Sequence, residues 1–283
     1  MNISISQTDV KQKALKSKHE IKPWIRRFGR FGTMAQGIVY GLIGILAVMA
    51  ALGLGGKTTG TKGLFYSLSV IPLGEVLLWL IGIGLIGYIV WELVKAIKDP
   101  EHNGHDGKGI VTRIGYVISA MIYSSFSYNA IKFALHSSSV SSRGSEQHIS
   151  AKLLSQPFGQ WIVGLVGIII IGYGVSEIIS GYKEKFMSKF NVSKMNKHEK
   201  KIARKSGKIG LVSRGVVLCM VGFFFTQTAI TSNPNQSKGL GGALSELAQQ
   251  PYGQFLLGIV GFGLILYGVY GVIRGRYEYM NFG

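Results

Sequence analysis

The sequence has a single cysteine, only 13 acidic residues, and charge on just 16% of its positions. One thiol, Cys219, permits no intramolecular disulfide and no cysteine-based metal site. There is no nucleophile beside a positioned base, no phosphate-cradling glycine loop and no paired metal motif, so a non-enzymatic chain without a cofactor is expected. The shortage of charge also excludes an ordinary soluble helical protein, whose helices keep a charged face. Here Ile38 to Leu52 and Phe255 to Ile273 carry no charged side chain on any face.

What the sequence has instead is apolar length. Hydrophobic residues make up 47% of the 283 positions and gather in six windows: Thr33 to Leu52, Leu73 to Val94, Ile114 to Leu135, Phe158 to Ile179, Leu211 to Thr231 and Tyr252 to Ile273. Each approaches the ~20 residues that cross a hydrocarbon core. The first follows a polar, basic stretch and has no small-residue cleavage site after it, so it reads as a retained span rather than a removed signal.

Basic residues are shared unequally between the two sides of these windows. Eight precede the first, four lie between the second and third, ten between the fourth and fifth, and two after the sixth. The alternate loops hold five: Lys57, Lys62, Arg143, Lys152 and Lys238. Short loops rich in Lys and Arg stay in the cytoplasm, which places both ends of the chain there. The run from Lys183 to Lys208 interleaves Phe186, Met187, Phe190 and Ile202 with its lysines, a pattern suited to anionic headgroups rather than nucleic acid. The stretch from Lys11 to Phe28 reads the same way.

The chain also repeats. Odd-numbered windows share a frame: Arg30-Phe31-Gly32 with Tyr40, Arg113-Ile114-Gly115 with Tyr123, and Lys208-Ile209-Gly210 with Leu218. Even-numbered windows open on Pro72-Leu73-Gly74, Pro157-Phe158-Gly159 and Pro251-Tyr252-Gly253, and Tyr88, Tyr173 and Tyr267 each follow their proline by 16 residues. A proline in the first helical turn forfeits no hydrogen bond, so each is expected to start its helix. Short amphipathic helices are expected upstream, over Leu64 to Val70, Ile149 to Ser155 and Ala243 to Gln249, lying on the outer surface. Glycines such as Gly37, Gly41 and Gly44, or Gly164, Gly167 and Gly172, suit close helix packing.

These observations predict an all-α integral membrane fold: six transmembrane helices in three parallel two-helix repeats about a pseudo-threefold axis. The expected organisation is a basic N-terminal segment (1–30), unit one (31–100), unit two (101–180), a basic linker (181–207), unit three (208–275) and a tail (276–283). The odd-helix frames, together with Gln-Pro-aromatic-Gly at 156–159 and 250–253, resemble a prokaryotic membrane family catalogued as domain of unknown function 1206. The resemblance runs from about Ile25 to Tyr277. It implies six spans, three repeats, a prokaryotic plasma membrane and no assigned activity. Two departures stand out: Ile71 precedes Pro72 where the other units have Gln, and Gln36 and Ser119 stand where the third unit has Arg214.

Charged side chains within a membrane are costly and therefore candidates for function. Glu92 and Glu177 each lie four residues after Tyr88 and Tyr173, on the same helix face; the third unit has Gly271 there. With Arg30, Arg113, Lys208 and Arg214 they suit an ion-pair collar, or a proton or substrate site. Ser125, Asn129, Lys132 and His136 form a polar stripe toward the outer side. His102, His105 and Asp106 lack a further ligand source and make a poor metal site. Two functions stay open. One is interaction with lipid, partner or envelope, which requires an axis filled with side chains. The other is a small-solute transporter or channel lined by Tyr88, Tyr173, Tyr267, Glu92, Glu177 and the stripe. That plan is shared with mitochondrial-type carriers, whose Pro-x-acidic-x-x-basic signature is absent.

Overall fold

The computed structural model describes residues 23–54, 60–99, 104, 106–135 and 145–278. The expectations for Lys11 to Lys22, His102, His105 and His136 lie outside these residues. In chain order the helices are α1 (Pro23–Ala51), α2 (Gly60–Ser69), α3 (Gly74–Lys98), α4 (Gly107–Ala134), α5 (Ser145–Leu154), α6 (Gly159–Tyr182), α7 (Lys197–Thr231), α8 (Leu240–Gln249) and α9 (Gly253–Tyr277). Five of them, α1, α3, α6, α7 and α9, are long and apolar enough to cross a membrane. The third window forms α4, which has 28 residues, but Ser124, Ser125, Ser127, Asn129 and Lys132 make it less apolar than the rest. Short helices α2, α5 and α8 cover the three segments expected to be amphipathic.

The even helices do not start at their prolines. Each begins two residues later, at Gly74, Gly159 or Gly253, after a turn closed by Gly74 N to Ile71 O (3.0 Å), Gly159 N to Gln156 O (2.9 Å) and Gly253 N to Gln250 O (2.7 Å). Proline at the second position and a positive φ at the third mark a type II turn. Leu73, Phe158 and Tyr252 occupy that third position at φ 63°, 62° and 60°, where glycine is usual. A left-handed non-glycine residue costs roughly 1–2 kcal/mol, so this strain is built in three times. The glycine that follows is required by space. A Cβ on Gly74, Gly159 or Gly253 would stand 1.6, 1.8 or 2.3 Å from the carbonyl oxygen of Leu68, Leu153 or Ala248.

Packing between long helices follows a cyclic rule. The even helix of each unit packs along the odd helix of the next: α3 on α4, α6 on α7, and α9 on α1. In two of these seams glycine meets glycine. Gly37, Gly41 and Gly44 of α1 face Gly271, Gly268 and Gly261 of α9, while Gly215 and Gly222 of α7 face Gly174 and Gly167 of α6. Bare backbones at these points let the helices approach more closely than side chains would allow. Gly172 is an exception to the packing expectation, since a Cβ there meets nothing within 4 Å.

Within units one and three, α1 packs on α3 and α7 on α9, but α4 and α6 of unit two share no comparable seam. The glycine of the odd-helix frame records this difference. A Cβ on Gly32 would lie 2.1 Å from the Tyr88 nitrogen, and one on Gly210 would lie 2.5 Å from the Tyr267 nitrogen, yet Gly115 meets nothing within 4 Å. Gly210→Ala is therefore expected to lower stability by on the order of 2–3 kcal/mol through overpacking. The equivalent Gly115→Ala should stay within about 0.5 kcal/mol. Thermal unfolding of the two variants in detergent checks this, and equal losses would contradict the seam assignment.

Candidate functional site

Frame glycines position the central side chains. Because Gly32 and Gly210 sit on the backbones of Tyr88 and Tyr267, the residues four positions later, Gln36 and Arg214, point toward the same neighbours. The Arg214 guanidinium lies 4.9 Å from the Tyr267 ring centre, 5.0 Å from that of Tyr40 and 5.7 Å from that of Tyr173. Rings at these distances present their negative faces to a cation. Arg214 Nη1 pairs with Glu177 Oε1, joining α7 to α6. Arg214 Nη2 reaches Tyr123 Oη at 3.4 Å.

Tyr123 Oη is the junction of the network. It accepts from Gln36 Nε2 at 2.7 Å and donates to Tyr40 Oη at 3.3 Å, while Gln36 Nε2 also donates to Tyr88 Oη at 3.2 Å. Edge-to-face stacking of Tyr88 on Tyr123 (4.7 Å) and Tyr40 on Tyr267 (5.1 Å) closes the cluster. Gln36, Tyr88, Tyr123, Tyr267 and Arg214 are all at most 3% exposed. All six long helices thus contribute a side chain to one buried point. Three polar atoms there, Gln36 Oε1, Glu177 Oε2 and Arg214 Nε, have no hydrogen-bond partner.

Of the residues expected at the site, Tyr88, Tyr173, Tyr267, Glu177 and Arg214 come together. Tyr173 differs from its counterparts in being 36% exposed, because α4 does not cover it. Glu92 lies outside the cluster's hydrogen bonds, paired with Lys95 at 2.5 Å on its own helix, and Lys95 sits 4.2 Å from the Tyr116 ring centre of α4. The collar uses Arg214, as expected, and Lys95, which was not expected. Arg113 Nε donates to Ala96 O (2.7 Å) at the end of α3, and Arg30 Nη2 reaches Glu278 O (3.4 Å). Arg274 pairs with Glu278 at 2.5 Å.

Asn129 and Lys132 are not brought to the cluster. Asn129 Nδ2 donates to Ser125 O of its own helix at 2.7 Å, and Lys132 is half-buried elsewhere on α4. Asp106 caps α4 by accepting from Gly109 N at 3.1 Å. Gln36, Tyr40 and Tyr123 were missed as site residues. The aligned odd-helix frames already carried the signal, since Gln36 matches Arg214 and the two tyrosines match each other.

The family described as Domain of Unknown Function (DUF1206) matches residues 31–99, 114–184 and 209–278, one segment for each two-helix unit. A Bacillus subtilis (strain 168) protein described as uncharacterized protein YxxB is 43% identical over 266 residues, covering 94% of this chain and 96% of that protein. No solved structure matches.

Removing the Tyr123 hydroxyl takes the acceptor from Arg214 Nη2 and the shorter of two hydrogen bonds from Gln36 Nε2. Tyr123→Phe should cost about 1–3 kcal/mol in thermal unfolding. Tyr128→Phe, on a ring 65% exposed, should change stability by less than about 0.5 kcal/mol. A silent Tyr123→Phe would remove the junction from the account.

Proposed function

The chain belongs to the Domain of Unknown Function (DUF1206) family, and on that premise we propose a non-enzymatic, six-span protein of a prokaryotic plasma membrane. Its units are parallel, its basic helix ends face the cytoplasm, and it works by engaging lipid and partner molecules there. The 28 residues of α4 reach ~42 Å, long enough to cross with its neighbours. Its seam with α3 matches the other two even-to-odd seams in position.

One observation carries the non-transport reading. Of the side chains that a path along the axis would need as its lining, Tyr88, Tyr267, Glu92 and Glu177 are buried, and Tyr173 is partly exposed. The charge at this point is self-neutralised by Arg214 and Glu177. A buried ion pair of this kind is poor as a source of net stability, but once one partner is removed the other is left uncompensated. Its role here is to hold three units in one register.

At the basic end, Lys208 lies 5.8 Å from the Tyr182 ring centre, and Lys183 and Lys205 are exposed beside it. An aromatic residue beside lysines at the end of a span fits a headgroup layer, where each cation is worth about 1 kcal/mol on anionic lipid.

Changing Glu92 and Glu177 together to Gln separates the two readings. A structural collar loses thermal stability in detergent, by several kcal/mol for an uncompensated buried arginine, and liposomes holding the native chain show no solute flux above empty ones. Unchanged stability, or flux in the native chain that the double variant loses, would overturn the reading.

A further inference from the structure

The basic run between α6 and α7 does not lie flat. Its second half forms the first turns of α7, an uninterrupted helix of 35 residues and thus ~52 Å. The hydrocarbon core needs only ~30 Å and the whole bilayer ~40–45 Å. Its first half folds back as two 3-10 turns, Lys185–Lys189 and Val192–Lys194. Phe186 (2% exposed), Phe190 (5%) and Met195 (5%) point into the protein, with Phe186 and Phe190 stacked on Tyr270 of α9 at 5.3 and 5.9 Å. These aromatic side chains are spent on protein packing and are not available to enter lipid.

The resulting cap is pinned from several sides. Asn191 N donates to Tyr277 O at 2.8 Å, Tyr277 Oη donates to Glu199 at 2.6 Å, and Arg204 pairs with Glu184 at 3.0 Å. Ala203, Ser206, Gly207 and Gly210 are buried, which fixes the rotation of α7. Lys197, Lys201, Arg204, Lys205 and Lys208 are consequently all exposed along one face, at i, i+4, i+7, i+8 and i+11. Residues 183–208 hold ten Lys and Arg against two glutamates, and both glutamates are occupied as above. Like charges at i, i+4 destabilise a helix, and Glu184 offsets this at Arg204 but not at Lys197 and Lys201. The helix N-terminal amides are not the attraction, because Asn196 and Glu199 already form a capping box.

Height divides the ridge. Measured from Leu211, where the apolar window opens, Lys205 stands ~9 Å along the helix, at the outer edge of the headgroup layer, whereas Lys201 and Lys197 stand ~15 and ~21 Å along. The screening length is ~8 Å at physiological salt, so Lys197 is beyond the reach of the bilayer. We infer that the upper ridge of α7, Lys197 and Lys201 with the neighbouring Lys194, is a docking surface for an acidic helical segment of a soluble protein. Carboxylates one turn apart on such a helix share the ~5.4 Å rise of the ridge. Nucleic acid fits less well, since the exposed ring beside this face, Tyr182, lies at Lys208, below the upper ridge. The inference rests on the membrane reading above and names the partner that the reading leaves open.

The full chain in nanodiscs of phosphatidylcholine alone, titrated with a fluorescent Glu-rich helical peptide at low salt, tests it by anisotropy. Lys197→Gln with Lys201→Gln should weaken binding about fivefold to tenfold. Lys205→Gln with Lys208→Gln, an equal charge change, should weaken it less than about twofold, while abolishing the rise in thermal midpoint that phosphatidylglycerol gives. Absence of peptide binding, equal losses in both variants, tighter binding of single-stranded DNA of equal charge, or a phosphatidylglycerol effect that depends on Lys197 and Lys201 would each overturn the inference. Failure of the underlying reading is detected separately: labelling of Ser193→Cys from outside intact cells would reverse the sidedness without touching the peptide result.

Discussion

The bundle depends on placing one charge pair where six helices meet. Arg214 comes from unit three, Glu177 from unit two, and the tyrosine hydroxyl that both touch through Arg214 leads to Gln36 of unit one. In hydrocarbon neither charge is tolerable alone, so the pair forms only when α6 and α7 are in register. The rings of Tyr40, Tyr173 and Tyr267 around the guanidinium then make the site specific to arginine, whose flat cation stacks where a lysine would not.

The three units are alike in architecture and different at their centre. Each closes on the next through an even-to-odd seam, and each opens its even helix with the same strained turn. Where symmetry would put three identical residues, the chain has Gln36, Ser119 and Arg214 in one layer, and Glu92, Glu177 and Gly271 in another. Identical charges at the centre of the bundle would repel; one cation and one nearby anion neutralise each other. Glu92 is reconciled by Lys95 on its own helix. The price of this asymmetry is visible in unit two, where α4 and α6 do not meet, Gly115 has no backbone to sit on, and Tyr173 is left partly exposed.

Helix spacing in the sequence was enough to locate the long helices, the three short ones, and the tyrosine trio with Glu177 on one face. Periodicity tells which residues share a face, but it does not name the neighbour that the face meets. That is why Lys95, which pairs with Glu92, was not foreseen in the collar, and why Arg30 and Arg113, which were, reach backbone carbonyls; Arg214 was expected there and does pair with Glu177. The prolines were legible as punctuation, but the positive φ of the residue after each one moved the helix start to the glycine. The linker of 181–207 read as a basic run suited to lying on headgroups because apolar side chains interleave its lysines. Its second half is helical because α9 and the folded-back Phe186 pack against it. Asn129 and Lys132 were grouped as a stripe by polarity and helical spacing, which do not say whether that stripe meets the cluster, and it does not.

The central claim is that Arg214 and Glu177 are tolerated only together. A double-mutant cycle with Arg214→Met, Glu177→Leu and the combined variant, read as unfolding free energy in detergent, tests it most directly. The account predicts that each single change is strongly destabilising and that the double variant recovers most of the loss, a coupling of about 3 kcal/mol or more. Additive losses would show that the two charges do not depend on each other, and would contradict it.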